Sequence, residues 1–370
     1  MVFTCVLLGI VHNCIREIVM NTENKTVVRI ALVDFWAGCN TSEIISRLFS
    51  DDYQIIEDEK KPDLLIYSCF GEKHLEYFDC KRLFFCGENI VPDFNTCDFA
   101  ITTVKLQYAN RSLWVPYGYF SLDTCSFDRP EESSSISNRK FCSFIYSQDN
   151  MGQGAKLRKE FCQQLMEKYK HVDCPGKILH NMETDLLTSR ESVDDWHSSK
   201  LRFLSNYKFN IAFENSQAPG YITEKLIDCY MANTVPIYWG SSGDVFPFPK
   251  DSMICANDYA SFDDLIARIK EIDEHDEMYL NMLNANPLRD EHRKLLPNYQ
   301  AEISKFIRGV LNQKIQDKGL TLWTDANRCY SYMKEFRKWH IRFACKIKFY
   351  FHKIISVCRV ICLIMKIKSK

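Results

Sequence analysis

Short apolar runs that end at glycine or at polar residues recur through the first third of the chain. The run at residues 27–36 predicts a buried strand that Gly38 interrupts, and Thr41 or Ser42 is positioned to cap a short helix through Phe49. Further strands are predicted at residues 61–71, 81–89, 98–104 and 112–120. Strands that alternate with short helices are typical of an α/β layer with a largely parallel sheet.

A second α/β unit is predicted after a polar, serine-rich linker at residues 128–139. Its first helix, at residues 156–169, places four apolar side chains on one face: Leu157, Phe161, Leu165 and Met166. Strands are expected at residues 140–147, 207–215 and 234–240, and helices at 222–233 and near 275–285 and 298–313. Ser261 and Asp264 resemble a capping box that opens one more helix.

The order of these elements predicts a division of the chain into two α/β halves. The expected parts are an N-terminal extension (1–26), a first α/β domain (27–135), a second α/β domain (136–330) and a C-terminal tail (331–370). The chain of 370 residues is long enough to give each half its own core. Ligand chemistry is expected at the strand ends that face the cleft between the halves.

Charge is distributed unevenly along the chain, although the net charge is only −1. The tail at 331–370 carries eleven Lys and Arg residues and one acid, whereas the preceding residues carry 36 basic and 47 acidic ones. An acidic folded part argues against nucleic acid as a partner. In the tail, Lys338, Arg342 and Lys346 share one helical face. This pattern predicts that residues 338–370 form an amphipathic helix that binds an anionic membrane surface. Packing of this helix on the core or in an oligomer seam is the alternative.

The cysteines and the N-terminus bear on where the protein resides. Seventeen scattered cysteines without a C-x-x-C pair favour reduced, mostly buried thiols over a zinc site or a disulfide framework. The apolar start of the chain is short for a membrane span and has no basic segment before it. We expect residues 1–19 to be dispensable, with an anchor or signal as the alternative, and the protein to be cytoplasmic and attached to the inner face of the membrane.

Residues 207–243 combine a strand, a turn and a helix start with charged residues at the junction. The predicted helix carries Glu224 and Lys225 in its first turn, where backbone N–H groups attract anions. Lys225 opposes the helix dipole at this position unless a phosphate is bound, and Glu224 suits the dipole and is able to accept hydrogen bonds from sugar hydroxyls. The alternative is a capping role for Glu224 and a solvated Lys225.

Two more charged residues stand where phosphate or sugar chemistry is expected. Arg158 follows the loop at residues 148–155, in the first turn of the predicted helix, where a guanidinium is suited to bidentate binding of a diphosphate. Glu88 stands at a strand end beside the expected cleft, where a carboxylate is able to deprotonate a sugar hydroxyl. Taken alone, a solvated helix surface for Arg158 and a solvated loop for Glu88 are the simpler interpretations.

Five short motifs carry a resemblance to a known family. They are CGENIVPDFNTCDFAI at 86–101, YKF at 207–209, FENS at 213–216, YITEKL at 221–226 and VPIYWG at 235–240. In this order they resemble the acceptor and donor signatures of glycosyltransferase family 10, the α-1,3/1,4-fucosyltransferases, and of its bacterial members above all. The resemblance is strong over residues 80–290 and weak before residue 80, where acceptor selectivity largely resides.

The resemblance implies a fold, a reaction and a set of site residues. The fold is α/β, with two facing Rossmann-like domains of the GT-B type, here followed by the basic tail. The reaction is an inverting transfer of L-fucose from GDP-fucose to a GlcNAc- or Glc-containing acceptor of the lactosamine or lactose type, with α-1,3 linkage favoured. Glu88 matches the general base. The residues that match the GDP-fucose site are Arg158, by a looser alignment, and Asn215, Tyr221, Glu224 and Lys225.

The resemblance also implies that no metal cofactor is required, because Lys225 and Arg158 supply the positive charge that stabilises the leaving GDP. The chain contains no D-x-D triplet, and the pairs at 194–195 and 263–264 are interpreted as helix-start or surface acids. Stimulation by Mn²⁺ or Mg²⁺ stays open. Two rival functions remain: transfer from another nucleotide sugar on the same fold, and non-catalytic glycan binding.

Overall fold

The computed structural model describes residues 25–77, 79–116, 138–150, 152–185, 187, 193–241, 248–287, 295–313, 343 and 347. The predicted linker up to residue 137, the N-terminal extension up to residue 24 and nearly all of the tail lie outside these residues. Within the described part of the chain, no helix combines the length and the apolar character needed to cross a bilayer.

The first sheet contains six parallel strands. They are β1 (Thr26–Val33), β2 (Tyr53–Glu57), β3 (Leu64–Tyr67), β4 (Lys81–Cys86), β5 (Phe99–Thr102) and β6 (Ser112–Trp114), in the order β2-β1-β3-β4-β5-β6. A parallel sheet covered on both faces needs apolar side chains in both directions, and all four residues of β3 are buried. Helix α1 (Thr41–Leu48) covers one face through Ile44 and Leu48.

The second sheet contains five parallel strands with helices around it. The strands are β7 (Lys140–Ser143), β8 (Val172–Asp173), β9 (Tyr207–Phe213), β10 (Val235–Trp239) and β11 (Ile254–Cys255), in the order β11-β10-β9-β7-β8. The helices are α2 (Gln153–Lys168), α3 (Val193–Leu204), α4 (Glu224–Met231), α5 (Phe262–Glu274) and α6 (Asp276–Asn284). Phe161 and Leu165 of α2 are fully buried, which confirms the predicted apolar face.

Helix α7 (Leu295–Asn312) packs mainly on the first sheet, although Tyr299 also contacts the core of the second unit. Ile303, Ile307 and Val310 are buried in the core of the first sheet, and the Lys81 ammonium donates a hydrogen bond to the Leu311 carbonyl. The predicted division placed these residues in the second half. The apolar face of α7 therefore ties the end of the second α/β unit back to the first.

The chain turns sharply after β1, which ends at Val33 rather than at residue 36. Asp34 adopts the left-handed region with a φ of 61°, which few side chains other than those of Asn and Asp tolerate. The turn leaves the Trp36 side chain 45% exposed, although the sequence predicted a buried strand through this position.

The starts of α1 and α5 follow local capping chemistry. The cap of α1 is Asn40, whose side chain accepts a hydrogen bond from the Glu43 N–H, so the prediction of Thr41 or Ser42 is wrong by one or two residues. The prediction of Ser261 is confirmed, because its hydroxyl accepts a hydrogen bond from the N–H three residues later.

Candidate active site

A cleft of about 510 Å³ lies between the two sheets, at the carboxyl ends of their strands. Loops after β1, β3 and β4 line one wall, and the loop after β9 with the start of α4 lines the other. Hydrogen bonds hold the walls together: the Asn89 amide donates to the Ser216 hydroxyl at 2.7 Å, and the Trp114 indole donates to the Gly220 carbonyl at 3.1 Å. The Lys105 N–H adds a bond to the Pro219 carbonyl at 2.7 Å.

Lys225 lies at the N-terminus of α4, between two carboxylates. Its ammonium is 3.1 Å from Glu224 Oε1, 3.4 Å from Glu214 Oε2 and 3.0 Å from the Thr223 hydroxyl. The Lys225 side chain is only 15% exposed, so the solvated alternative is wrong. The alternative of a Glu224 cap is also wrong, because Thr223 caps the helix and its hydroxyl accepts a hydrogen bond from the Lys225 N–H.

Glu214 stabilises the start of α4 and the position of Lys225. It is fully buried at the end of β9 and accepts hydrogen bonds from the Thr223 N–H at 2.8 Å and from the Thr223 hydroxyl at 2.7 Å. These bonds fix the helix cap and place the Glu214 carboxyl group 3.4 Å from the Lys225 ammonium. Sequence reasoning quoted Glu214 as part of a motif but assigned it no role.

Glu214, Glu224 and Lys225 form a cluster, the Lys225 cluster, whose pKa values depend on burial and on the charges of the neighbouring side chains. Burial raises the pKa of Glu224, but Lys225 and Lys200 nearby outweigh it and lower this pKa to about 2. Burial lowers the pKa of Lys225, but Glu224 and Glu214 outweigh it and hold this pKa above its ordinary value. Burial raises the pKa of Glu214, against the effect of the Lys225 cation. Lys225 is therefore a fixed cation and Glu224 a fixed anion over the physiological range.

Arg158 lies behind the cleft wall, in the second turn of α2 rather than the first. It is 2% exposed, so a solvated helix surface is wrong for it. Its guanidinium stacks over the Tyr146 ring at 3.9 Å and donates hydrogen bonds to the Gln148 carbonyl and to Asn215 Oδ1, both at 2.7 Å. Asn215 itself lines the cleft. Arg158 thus orients Asn215. Its positive charge lies behind the wall formed by the loop after β9 and the start of α4, which we call the donor wall.

Close packing at the start of α2 explains why Arg158 lies so deep. Gly152 is the residue before the helix, has a φ of 86° and lies against the Asn215 carbonyl. Gly154 lies against the Glu214 carbonyl, and a β-carbon there would overlap it. Glycine at both positions lets α2 approach the end of β9 closely.

Glu88 lies on the opposite wall, in the loop after β4. Its N–H donates to the Cys86 sulfur at 3.3 Å, and its carbonyl accepts from the Thr103 hydroxyl at 3.2 Å. The backbone is therefore held, whereas the half-buried carboxylate faces the cleft without a hydrogen bond or ion pair to any residue the structure describes. Tyr221, buried in the donor wall, lines the same cleft.

Two aromatic side chains that sequence reasoning did not assign to the site complete the wall around Glu88. Trp36 and Phe70 are 45% and 50% exposed and meet edge to face at 5.9 Å. The buried carboxylate of Asp34 ties the loop after β1 to the loop after β3, because it accepts hydrogen bonds from the N–H groups of Lys73 and His74 at 2.9 Å. An exposed aromatic pair beside a polar cleft is typical of a binding surface.

The described residues contain no group of three or more His, Cys, Asp or Glu side chains arranged to hold a metal ion. Residues 263–264 lie in the first turn of α5, as expected for helix-start acids, and residues 194–195 lie at the start of α3. Lys225 and the N-terminus of α4 supply positive charge to the cleft.

Facing parallel α/β sheets that share a cleft at their carboxyl strand ends form the architecture of GT-B-type glycosyltransferases. Residues 30–121 match the family model "Alpha-(1,3)-fucosyltransferase FucT N-terminal domain", and residues 137–288 match "Glycosyltransferase family 10 (fucosyltransferase) C-term". The two models cover both sheets. The chain belongs to glycosyltransferase family 10, and the resemblance seen in the motifs is confirmed.

Individual relatives agree with this assignment. Over 307 residues the chain is 29% identical to the "Alpha-(1,3)-fucosyltransferase FucT" of Helicobacter pylori, a match that covers 73% of this chain and 62% of that protein. Over 153 residues it is 32% identical to "Alpha-(1,3)-fucosyltransferase B" of Drosophila melanogaster, covering 38% of this chain and 33% of that protein. The chain thus spans less than two thirds of the length of these curated relatives.

Solved structures confirm the predicted fold class. The structure described as "Crystal Structure of alpha1,3-Fucosyltransferase with GDP" superimposes with a TM-score of 0.63 at 26% identity, covering 78% of this chain and 92% of that one. A second, described as "with GDP-fucose", gives the same TM-score and coverage at 25% identity. Nearly all of the basic tail of the predicted fold lies outside the described residues, and the tail stays a prediction.

Proposed function

We propose that this chain is an inverting α-1,3-fucosyltransferase that transfers L-fucose from GDP-fucose to a hydroxyl of a GlcNAc- or Glc-containing glycan. The observation that carries the proposal is the position of Glu88, which faces the Lys225 cluster across one cleft. Glu88, whose carboxylate has no hydrogen bond or ion pair among the described residues, provides a base on one wall, and Lys225 provides an anion site on the other. An inverting transfer to an acceptor hydroxyl needs both.

The donor wall suits the diphosphate of GDP-fucose. The N-terminus of α4 presents backbone N–H groups, and Lys225 adds a cation that its two carboxylate partners already hold in place. Glu224 is suited to accept hydrogen bonds from ribose or fucose hydroxyls, and Asn215 and Tyr221 line the space beside it. Arg158 acts here through its hydrogen bond to Asn215 and through its charge.

The acceptor wall suits a sugar ring. Pyranoses present an apolar C–H face, and exposed aromatic rings such as Trp36 and Phe70 offer the complementary surface. Both side chains line the same cleft as Glu88. An acceptor sugar packed on this pair would present a hydroxyl to the carboxylate. Lactosamine and lactose are the acceptor types we propose.

The reaction follows from this arrangement in one displacement. The acceptor oxygen attacks C1 of fucose from the face opposite GDP, and the bonding electrons leave with the β-phosphate oxygen. Glu88 takes the proton of the acceptor hydroxyl, and the configuration at C1 inverts. Lys225 and the N–H groups of α4 stabilise the charge that develops on GDP. No step in this sequence requires a metal, and Mn²⁺ or Mg²⁺ would only assist GDP departure.

A transfer assay with defined sugars tests the proposal. GDP-fucose is offered with lactose and with type 1 and type 2 lactosamine, and the linkage of each product is read by NMR. We expect transfer to at least one acceptor, with an α-linkage to O3. A parallel panel of UDP- and GDP-sugars covers the rival donors. Turnover of another nucleotide sugar alone would favour the rival transferase, and glycan binding without any turnover would favour the non-catalytic rival.

We also propose that residues 338–370 bind an anionic membrane surface, a partner inferred from sequence alone because these residues are almost entirely outside the described structure. Each Lys or Arg near such a surface contributes about 1 kcal/mol. Flotation with liposomes of rising phosphatidylglycerol content should recover the full chain, but not a chain that lacks residues 340–370. The matched control replaces Lys338, Arg342 and Lys346 by glutamine, which removes charge and keeps the apolar face. Binding that ignores lipid charge and salt would contradict the electrostatic part.

A further inference from the structure

Two free cysteines lie side by side where β3 and β4 end, behind the residues that line the cleft. Cys86 ends β4, Cys69 lies just beyond β3, and the two strands are parallel neighbours in which Tyr67 pairs with Phe84. Cys69 and Cys86 follow that pair by two residues each, and their sulfur atoms are 3.6 Å apart. Residues on either side of both cysteines line the cleft. No other role in the site has been assigned to Cys69.

The two thiols differ in accessibility and in acidity. Cys69 is half-buried, whereas Cys86 is 4% exposed. A hydrogen bond donated by the Cys86 thiol lowers the pKa of Cys69 to about 7, aided by Ser68 and opposed by burial and by the Glu88 charge. Cys69 therefore contains a large thiolate fraction near neutral pH, which makes it a nucleophile.

The other close pair in the described chain provides an internal comparison. The sulfur atoms of Cys162 and Cys174 are 3.9 Å apart, yet both side chains are fully buried. The hydrogen bond with Cys174, together with burial, raises the pKa of Cys162, and neither sulfur is accessible to solvent. The sulfur atoms are close together in both pairs, but only the first pair contains a partly exposed cysteine, Cys69.

We propose that Cys69 and Cys86 form a redox modification site that takes low-molecular-weight disulfides of the glutathione type. The Cys69 thiolate attacks one sulfur of glutathione disulfide, forms a mixed disulfide and releases one glutathione thiolate. Cys86 loses its proton and attacks the Cys69 sulfur, and the second glutathione leaves. The protein loses two electrons and two protons, and one glutathione disulfide becomes two glutathione thiols. The reverse exchange restores the dithiol.

Oxidation of the Cys69–Cys86 pair would disturb the backbone of Glu88, the proposed base. A disulfide requires a sulfur–sulfur distance of about 2.05 Å, so the sulfur atoms must approach by about 1.5 Å. The Cys86 sulfur also accepts the Glu88 N–H hydrogen bond at 3.3 Å, and movement toward Cys69 would weaken it. Glu88 would then lose one of the contacts that fix its backbone. This effect on turnover rests on the proposed function of Glu88, whereas disulfide formation does not.

The experiment incubates the full chain with glutathione disulfide and maps disulfides by peptide mass spectrometry. We expect a Cys69–Cys86 link, no Cys162–Cys174 link, and an at least tenfold fall in fucosyl transfer that dithiothreitol restores. Cys69→Ser should keep its activity under oxidation, and Cys162→Ser, the matched control, should lose activity as the wild type does. The rate of modification should rise with pH through about 7, because the thiolate fraction of Cys69 rises there.

Separate outcomes bear on the two proposals. Absence of the Cys69–Cys86 link after oxidation would overturn the site, whatever the activity. A complete link with unchanged turnover would overturn its effect on Glu88. Absence of fucosyl transfer in the fully reduced protein would instead count against the proposed function, and the mass spectrum would still decide whether the disulfide forms. Folding of each variant is checked by its thermal melting temperature.

Discussion

Replacement of Glu88 by glutamine separates proton transfer from the other properties of the site. Glu88→Gln keeps the shape of the side chain and removes its ability to take a proton. Because the carboxylate has no hydrogen bond or ion pair among the described residues, the substitution leaves no partner unpaired. We therefore expect the free energy of unfolding to change by no more than about 0.5 kcal/mol.

The expected loss of activity can be given a size. Transfer of a proton to a positioned base contributes about 10²–10⁴-fold to a rate. We expect kcat to fall at least about 100-fold, which corresponds to about 2.7 kcal/mol of activation free energy. The affinity for GDP should stay within a factor of two or so, because Glu88 lies on the wall opposite Lys225.

Initial rates with GDP-fucose and an acceptor measure kcat, and calorimetry measures GDP affinity. Glu43→Gln is the matched control, because its carboxylate lines the same wall but is paired with Arg47 at 2.6 Å. That variant should keep kcat within a few-fold of wild type. If Glu88→Gln also keeps kcat within a few-fold, Glu88 is not the base. A parallel loss of GDP affinity would instead indicate damage to the donor wall.

Three further substitutions test the walls of the cleft. Lys225→Ala should weaken GDP binding by about 1.5–3 kcal/mol, the size of a charge-assisted contact, as measured by calorimetry. Gly154→Ala should lower the melting temperature and GDP affinity together, because its β-carbon would overlap the Glu214 carbonyl. Gly309→Ala should lower neither, because the new β-carbon would meet no described atom beyond its own turn of α7 within 4 Å. Trp36→Ala should raise KM for the acceptor several-fold and leave GDP affinity unchanged.

Features that depend on local sequence could be predicted closely. The helix start at Glu224 follows from the turn before it, and the cap at Ser261 follows from its own side chain. The cap of α1 was missed because Asn40 and Thr41 share the same capping chemistry, and only backbone geometry decides between them. Strands β8 and β11 contain two residues each, too few to produce a hydrophobic period.

Features that depend on distant parts of the chain could not be predicted in this way. Lys159 and Glu160 beside Arg158 are typical of a solvated surface, and only the close approach of α2 to β9 at Gly154 buries the guanidinium. The docking of α7 on the first sheet joins residues more than 200 positions apart. The exposure of Trp36 depends on the turn at Asp34, whose carboxylate finds its partners some 40 residues later.

Lys225 shows how an unfavourable local choice becomes useful in the folded protein. A cation at a helix N-terminus costs a few tenths of a kcal/mol by itself. Glu214 and Glu224 offset this cost by holding the ammonium at 3.4 and 3.1 Å, and the buried Glu214 also fixes the helix cap through Thr223. The cation is therefore in place before any diphosphate arrives. A positive charge that does not have to be reorganised during the reaction stabilises the leaving group more effectively than a mobile one.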